Sequence, residues 1–537
     1  MASEVAFGPV PPPALTRLSV SSVGGTSSSS SSDSPITTPS YDITLRWSSD
    51  TYSDDERPVV PKIEELDENG LSQAKPEPII EDALQPISPT TQRRGRGRPR
   101  KHPPSTAIVA KGRSKTGCFT CRKQRTYWKS GKQRRVSLVI SPPPELPLLV
   151  DGVETDTDRL FLDHFNINVS RVLTVLSEDG NPFRQLLLPM AIKHSGLMHS
   201  LLCLAGSHLV LKNPENYEYR SRRAHHFGQA CIKLRTDEAM AAHMSGDSDM
   251  IIDDPVAAST LVLCLETIVN GDVQGQYRYH MDSARTILQK QRGNPKYSMR
   301  DPEFQKFLHE VFLYHDIASS ITNVGRYNVM MTENFQLPEF MIQPEAGALL
   351  GVVDGMFGIL SKIRQIRDRV RDRRTHNLMP LVNFEILSEA QAVDVALRQW
   401  TCAHIPGTPR YIASLLYRQT TWIYLRRTVL ADQDPDEKLH IAVKEGLDLL
   451  GQLAPDDSTQ SIVLMPLFLL GCTAYKAEFR PEISQAFDRL QAYSELGNIK
   501  YARQIVEHIW DKMDKGHKDV WDWETIISKM GYDFLIT

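Results

Sequence analysis

The 537-residue chain contains no apolar run long enough to cross a bilayer. The longest, Ile462 to Cys472, is interrupted by Pro466 and falls short of the roughly 20 apolar residues a helical span needs. The first residues, Met1 to Leu18, lack a basic stretch followed by an apolar one, so they do not read as a secretory signal. Cysteine is scarce: there are seven, and Cys203, Cys231, Cys264, Cys402 and Cys472 stand alone. That excludes a disulfide framework and fits a reducing compartment, where a lone cysteine is mostly a small buried hydrophobe. No glycine-rich phosphate loop and no Gly-x-Ser-x-Gly elbow occurs. Alternating strand patterns and fixed-period repeats are missing too. These absences point to a soluble intracellular protein that is not an enzyme and that no apolar segment holds in a membrane.

What is present is distributed unevenly. The formal net charge is only -3, yet residues 1–92 hold fourteen Asp or Glu against five Lys or Arg. Residues 93–135 hold sixteen Lys or Arg and no acid at all, which leaves the remainder at -10. Such polarity points to nucleic acid or a membrane surface as partner. A cation density of this kind has little use in a folded core, where each charge would need a partner. Outside one it can displace counterions from a polyphosphate.

Residues 1–92 are rich in Ser, Pro and acid, with a pure serine run from Ser27 to Ser32. They cannot bury enough surface to offset chain entropy and are expected to be disordered. Acidic clusters sit beside apolar residues at Ile63 to Glu68 and Ile79 to Leu84. That mixture resembles activation segments that recruit the transcription machinery, and it equally fits a solvating tail. A Pro-rich linker occupies 136–155, centred on Ser141 to Pro147.

From residue 156 to the end, helical patterns follow one another. They cover 196–212, 219–240, 255–270, 276–291, 302–322, 345–374, 387–401, 409–430, 437–453, 460–475, 481–496, 500–515 and 520–530. In 302–322 the apolar positions Phe304, Phe307, Leu308, Val311 and Phe312 share one helical face. Pro255, Pro302, Pro409 and Pro481 stand where a first turn accepts proline. The expected fold is an all-α body over 156–537.

Two motifs lie in the basic stretch. Arg96-Gly97-Arg98-Pro99, flanked by Arg94, Arg100 and Lys101, resembles an AT-hook. Gly and Pro keep the strand thin and extended, which lets both arginines enter a narrow A·T-rich minor groove. The same residues also fit a nuclear-localisation patch. The second motif is Gly117-Cys118-Phe119-Thr120-Cys121-Arg122-Lys123-Gln124-Arg125. A lone Cys-x-x-Cys is shared by redox and zinc sites, but thiols set among cations become ready thiolates suited to zinc.

The second motif resembles the opening of the fungal binuclear zinc-cluster domain, in which six cysteines hold two Zn2+ ions and a short basic helix enters the DNA major groove. The resemblance implies Cys118 and Cys121 as the first two metal ligands, with Arg122, Lys123 and Arg125 on the DNA-facing helix. The chain then departs from the pattern. Trp128 stands seven residues after Cys121, where the third cysteine belongs, and the next cysteine is Cys203. Two thiolates cannot close a tetrahedral zinc site. The simplest account is an internal deletion near Tyr127 and Trp128, and the chain as written should not bind zinc stably.

The body resembles the fungal-specific transcription-factor regulatory domain. The likeness rests on Leu160 to Phe165, Asn181 to Arg184, His199 to His208, and His280 to Ala284. It implies regulation, with dimerisation, homo- or heterodimeric, through the helical domain and no catalytic residues. His194, His199, His208 and the adjacent His225 and His226 are read as caps or satisfied core residues rather than ligands. In Tyr314-His315-Asp316, neighbours on a helix point apart. The arginine-rich segment Lys362 to Arg374, with Asp368 and Asp372 interleaved, is read as a solvated helix face. The expected protein is a nuclear DNA-binding transcription regulator, incomplete in its zinc-cluster recognition. The alternative is a regulatory protein acting through its helical body without sequence-specific DNA binding.

Overall fold

The computed structural model describes residues 149–176, 180–244, 252–291, 301–331, 349 and 355–537. Regions 1–92 and 93–135 and most of the linker 136–155 lie outside them. Among the described residues the architecture is all-α. The one β feature there is an isolated bridge between Gln274 and Asp533.

The body opens with α1 (Asp156–His164), started by a capping box between Thr155 and Asp158. A single π-helical turn, Phe165–Val169, continues it. After a second such turn, Phe183–Leu187, come α2 (Leu188–Lys193), α3 (Ser195–Lys212), α4 (Tyr217–Thr236) and α5 (Glu238–Met244). Next are α6 (Asp254–Asn270), α7 (Tyr277–Gln291), α8 (Pro302–Thr322), α9 (Met356–Thr375) and α10 (Phe384–Gln399). The chain ends with α11 (Pro409–Leu430), α12 (Glu437–Gly451), α13 (Leu464–Gly471), α14 (Arg480–Ser494), α15 (Gly497–Asp514) and α16 (Trp523–Lys529).

Pro255, Pro302, Pro409 and Pro481 each sit in the first turn of their helix, where the missing N–H would have had no partner anyway. Asp301 and Thr408 cap α8 and α11 by accepting from the amides of Glu303 and Tyr411. The expected 219–240 segment is two helices. Asp237 leaves helical conformation, and its carboxylate accepts from the amide of Met240, starting α5. The expected 460–475 segment is a 3-10 turn, Ser458–Ile462, followed by the short α13. Of 345–374, the described helix begins at Met356.

Helices adjacent in sequence pack together, α3 against α4, α6 against α7 and α11 against α12, and α3 also packs against α6. One continuous hydrophobic core joins them. α3, α6 and α8 are buried around most of their circumference, as helices apolar on all sides must be. Close approaches use glycine. A Cβ on Gly206 would lie 2.6 Å from the Phe161 ring, and one on Gly497 would lie 2.7 Å from the Gly271 backbone. The first contact lets α1 lie against α3; the second joins the left-handed C-cap of α6 to the start of α15.

Candidate functional site

The residues expected to touch DNA, Arg94, Arg96, Gly97, Arg98, Pro99, Arg100, Lys101, Arg122, Lys123 and Arg125, lie outside the described residues. So do the expected zinc ligands Cys118 and Cys121. The described polar chemistry is in the helical body, and two of its buried centres involve residues that the sequence singled out.

The first joins two of the four segments that carried the family resemblance, Leu160 to Phe165 and His199 to His208. His164 Nε2 and His208 Nδ1 share a proton across 2.8 Å, and His208 Nε2 meets the Ser494 carbonyl at 2.9 Å. His199 Nδ1 pairs with His226 Nδ1 at 2.9 Å, and His226 Nε2 reaches the Asp158 carboxylate at 2.8 Å. Arg222 grips the same carboxylate at 2.9 and 2.6 Å. Burial, then the neighbouring His208 and Lys212, hold His164 down to about 4. Burial, then His226 and His225, do the same to His199. Burial alone would raise the Asp158 carboxyl. Hydrogen bonds from His226, Arg222 and the amides of Thr155 and Glu154 overcome it and keep Asp158 well below the usual carboxylate range. His194 caps α3 by accepting from the Leu197 amide. His194, His199, His208 and His226 are caps and satisfied core groups, as expected; His225 departs from that reading, because its buried Nε2 makes no hydrogen bond and lies 3.9 Å from the Glu154 carboxylate.

The second centre corrects the reading of Lys362 to Arg374. That segment is not a solvated face: Arg364 and Arg367 are fully buried. Arg367 donates to both oxygens of Glu524, at 2.6 and 2.8 Å, and to the Trp521 carbonyl. Its guanidinium lies 4.0 Å from the Trp523 ring centroid and 5.2 Å from that of Tyr424. Arg371 bonds Asp522 at 2.9 Å and Asp368 at 2.6 Å, and lies 3.3 Å from Glu524. Arg364 bonds Asp368 at 2.9 Å and the Val324 carbonyl at 2.8 Å. Positions 364, 367 and 371 share one face, adjoining Ile363, Ile366 and Val370 in the core. That spacing was the available signal. The acids at 522 and 524 are over 150 residues away, and nothing local announces them.

Neither centre has the parts of a reaction. Apart from His225 Nε2, each buried histidine nitrogen named above is committed to a partner. The Cys203, Cys264 and Cys472 thiols are fully buried and pushed up by burial, Cys264 to about 12. No group of three or more His, Cys, Asp or Glu able to hold a metal occurs among the described residues.

Residues 159–537 match the fungal specific transcription factor domain. That is well over half of the chain, and the protein belongs to this family. The chain is also similar to an uncharacterised transcriptional regulatory protein of Schizosaccharomyces pombe, 21% identical over 423 residues. The alignment covers 74% of this chain and 75% of that protein. No solved structure matches. Family and relative together make this a transcription regulator, a class that is typically non-enzymatic. No helix among the described residues is long and apolar enough to cross a membrane.

Proposed function

We propose that the protein is a nuclear regulator of RNA polymerase II genes that contacts DNA through residues 93–135 and regulates through its helical body. The supporting observation is the pairing of a transcription-factor body with an upstream segment of sixteen cations and no acid. Arg94, Arg96, Gly97, Arg98, Pro99, Arg100 and Lys101 supply minor-groove and phosphate contacts, and Arg122, Lys123 and Arg125 add charge. The acidic region 1–92 recruits the transcription machinery. Zinc is not held stably, because four of the six thiolates that two ions need are missing. The test is binding of the full chain to an A·T-rich duplex at several salt concentrations. The expected log K falls by roughly 0.9 per phosphate contact for each decade of salt; binding indifferent to salt overturns the reading. Elemental analysis giving two zinc ions per purified chain overturns the statement about the cluster.

A second reading is favoured by Trp128 standing at the third cysteine position: a regulatory protein acting through its body without its own sequence-specific DNA site. Sequencing the messenger RNA across the codons of Tyr127 and Trp128 separates the two. Extra codons with four cysteines restore a zinc-cluster factor. An intact junction leaves DNA contact to Arg93 through Lys101 or to a partner.

A further inference from the structure

Helices α10 and α12 both pack on α11 and leave a groove of about 370 Å3 over it. Its floor is apolar: Leu397 of α10, Trp422 of α11 and Ala442 of α12, with Ile441 of α12 at the edge and 52% exposed. Bonds between the helices hold the floor in place. The Trp422 indole donates to Asp394 at 2.8 Å, and Arg418 Nε donates to the Leu397 carbonyl at 3.1 Å. Gln419 Nε2 donates to the Ala442 carbonyl at 3.0 Å and to Glu445 at 2.9 Å. A surface fixed in this way loses little side-chain freedom when something covers it.

The charge around the groove is not balanced. Arg398 is neutralised by Asp394, at 2.8 and 3.3 Å. Arg418 and Lys438 also line the groove, and neither has a carboxylate partner among the described residues. Glu445 is the acid among the lining residues. Two unpaired cations thus face one acid, on a body whose net charge from residue 136 on is -10. Lys438, Ile441 and Glu445 fall on one face of α12, so cation and apolar edge lie along the same wall. A matching occupant is apolar on one face and acidic beside it.

The walls decide its backbone. All three are helices, bonded along their own main chains, so no open strand edge is offered to an extended peptide. Polyproline segments dock in aromatic-lined grooves, and Trp422 is the one aromatic residue of this lining. An amphipathic helix needs only side-chain ridges and the hollows between them. Nucleic acid fits less well, because two cations over an apolar floor do not track a phosphate backbone.

We infer that this groove docks an acidic amphipathic helix of a partner protein, with its apolar face on Trp422 and Ile441 and its carboxylates toward Arg418 and Lys438. The contact involves neither residues 93–135 nor a second copy of the chain, so it fails or stands separately from the DNA-binding proposal. The probe is a fluorescein-labelled, capped peptide of about 16 residues, long enough to hold a helix. It carries Leu or Phe at every third or fourth position and Glu elsewhere, and its twin carries Lys in place of each Glu. Both are titrated with the full chain and followed by fluorescence anisotropy. The Glu peptide is expected to bind, and the Lys peptide to bind about tenfold more weakly. Ile441→Glu is expected to weaken the Glu peptide about tenfold, and Lys438→Glu about threefold. Both side chains are exposed, so neither change is expected to move the thermal unfolding midpoint. Lys500→Glu, at an exposed lysine of α15 outside the groove, is expected to leave the affinity unchanged. A Glu peptide that does not bind overturns the inference, and so does a Lys peptide that binds as tightly. Affinity indifferent to I441E and K438E also overturns it and places the peptide elsewhere, on residues 93–135 above all. DNA binding lost in K438E assigns the groove to nucleic acid and overturns it as well.

Discussion

Two arginine-rich stretches of this chain invite opposite readings. Residues 93–135 carry sixteen cations and no acid in their sequence, and the proposal above leaves their charge for an external polyanion. The stretch Lys362 to Arg374 in α9 is denser still in cations, yet its Arg364, Arg367 and Arg371 close on Asp368, Asp522 and Glu524 beneath Trp521 and Trp523. Cation density alone does not separate a nucleic-acid contact from a core. What separates them is where the compensating acids are, and in α9 two of those three arrive from a distant part of the chain.

The sharpest way to break this contrast is to remove the acid. Glu524→Ala leaves Arg367 buried and uncompensated, and is expected to cost about 3–5 kcal/mol of body stability, read by chemical denaturation. An unchanged midpoint would mean that the α9 arginines are not an integral ionic core. Acid probes the other buried centre. His164 and His199 titrate near 4 in the folded body and near 6.5 when unfolded, so between those values the unfolded chain binds more protons. Stability is therefore full above about pH 6.5 and falls as pH drops toward 4. The expected loss is on the order of 2–4 kcal/mol, measured as denaturation midpoint against pH. A flat profile in that window contradicts the neutral histidine pairs.

The basic stretch should answer differently. Arg96→Ala with Arg98→Ala is expected to leave the unfolding midpoint unchanged while weakening DNA binding about tenfold and flattening the salt slope by roughly two units. Loss of stability without loss of DNA affinity would reverse the roles given to the two stretches. The smallest effect is expected at the rim of α9. Arg369 is partly exposed and pairs with Glu385 and Glu389, so Arg369→Ala should cost no more than about 1 kcal/mol, checked by thermal unfolding. A cost comparable to that of Glu524→Ala would erase the distinction between buried and exposed arginines on one helix.

The helices were legible because their signals are local. α8 and α11 begin and end where periodicity and N-terminal proline put them, at Pro302–Thr322 and Pro409–Leu430. The division at Asp237 was not legible, because α4 and α5 share apolar spacing across it. The break comes from one carboxylate turning to cap the Met240 amide. The body motifs were correctly read as packing signatures: Phe161 seats on Gly206, and His164 meets His208. The pairing of His199 with His226, a helix apart, had no sequence signal.

The all-α body, the polarity of the charge and the shortfall of thiolates after Cys121 were readable in the chain alone, because each follows from composition, period or spacing within a few residues. The family was reached by resemblance, and the match over residues 159–537 shows it. The environment of each charge, by contrast, was set by how the helices pack. Packing put the Arg364, Arg367 and Arg371 face inward, committed His164 to His208 and His199 to His226, and left the groove over α11 open. Burial depends on which distant helix arrives to cover a face, and the ion pairs that make a buried arginine tolerable are formed across that same contact.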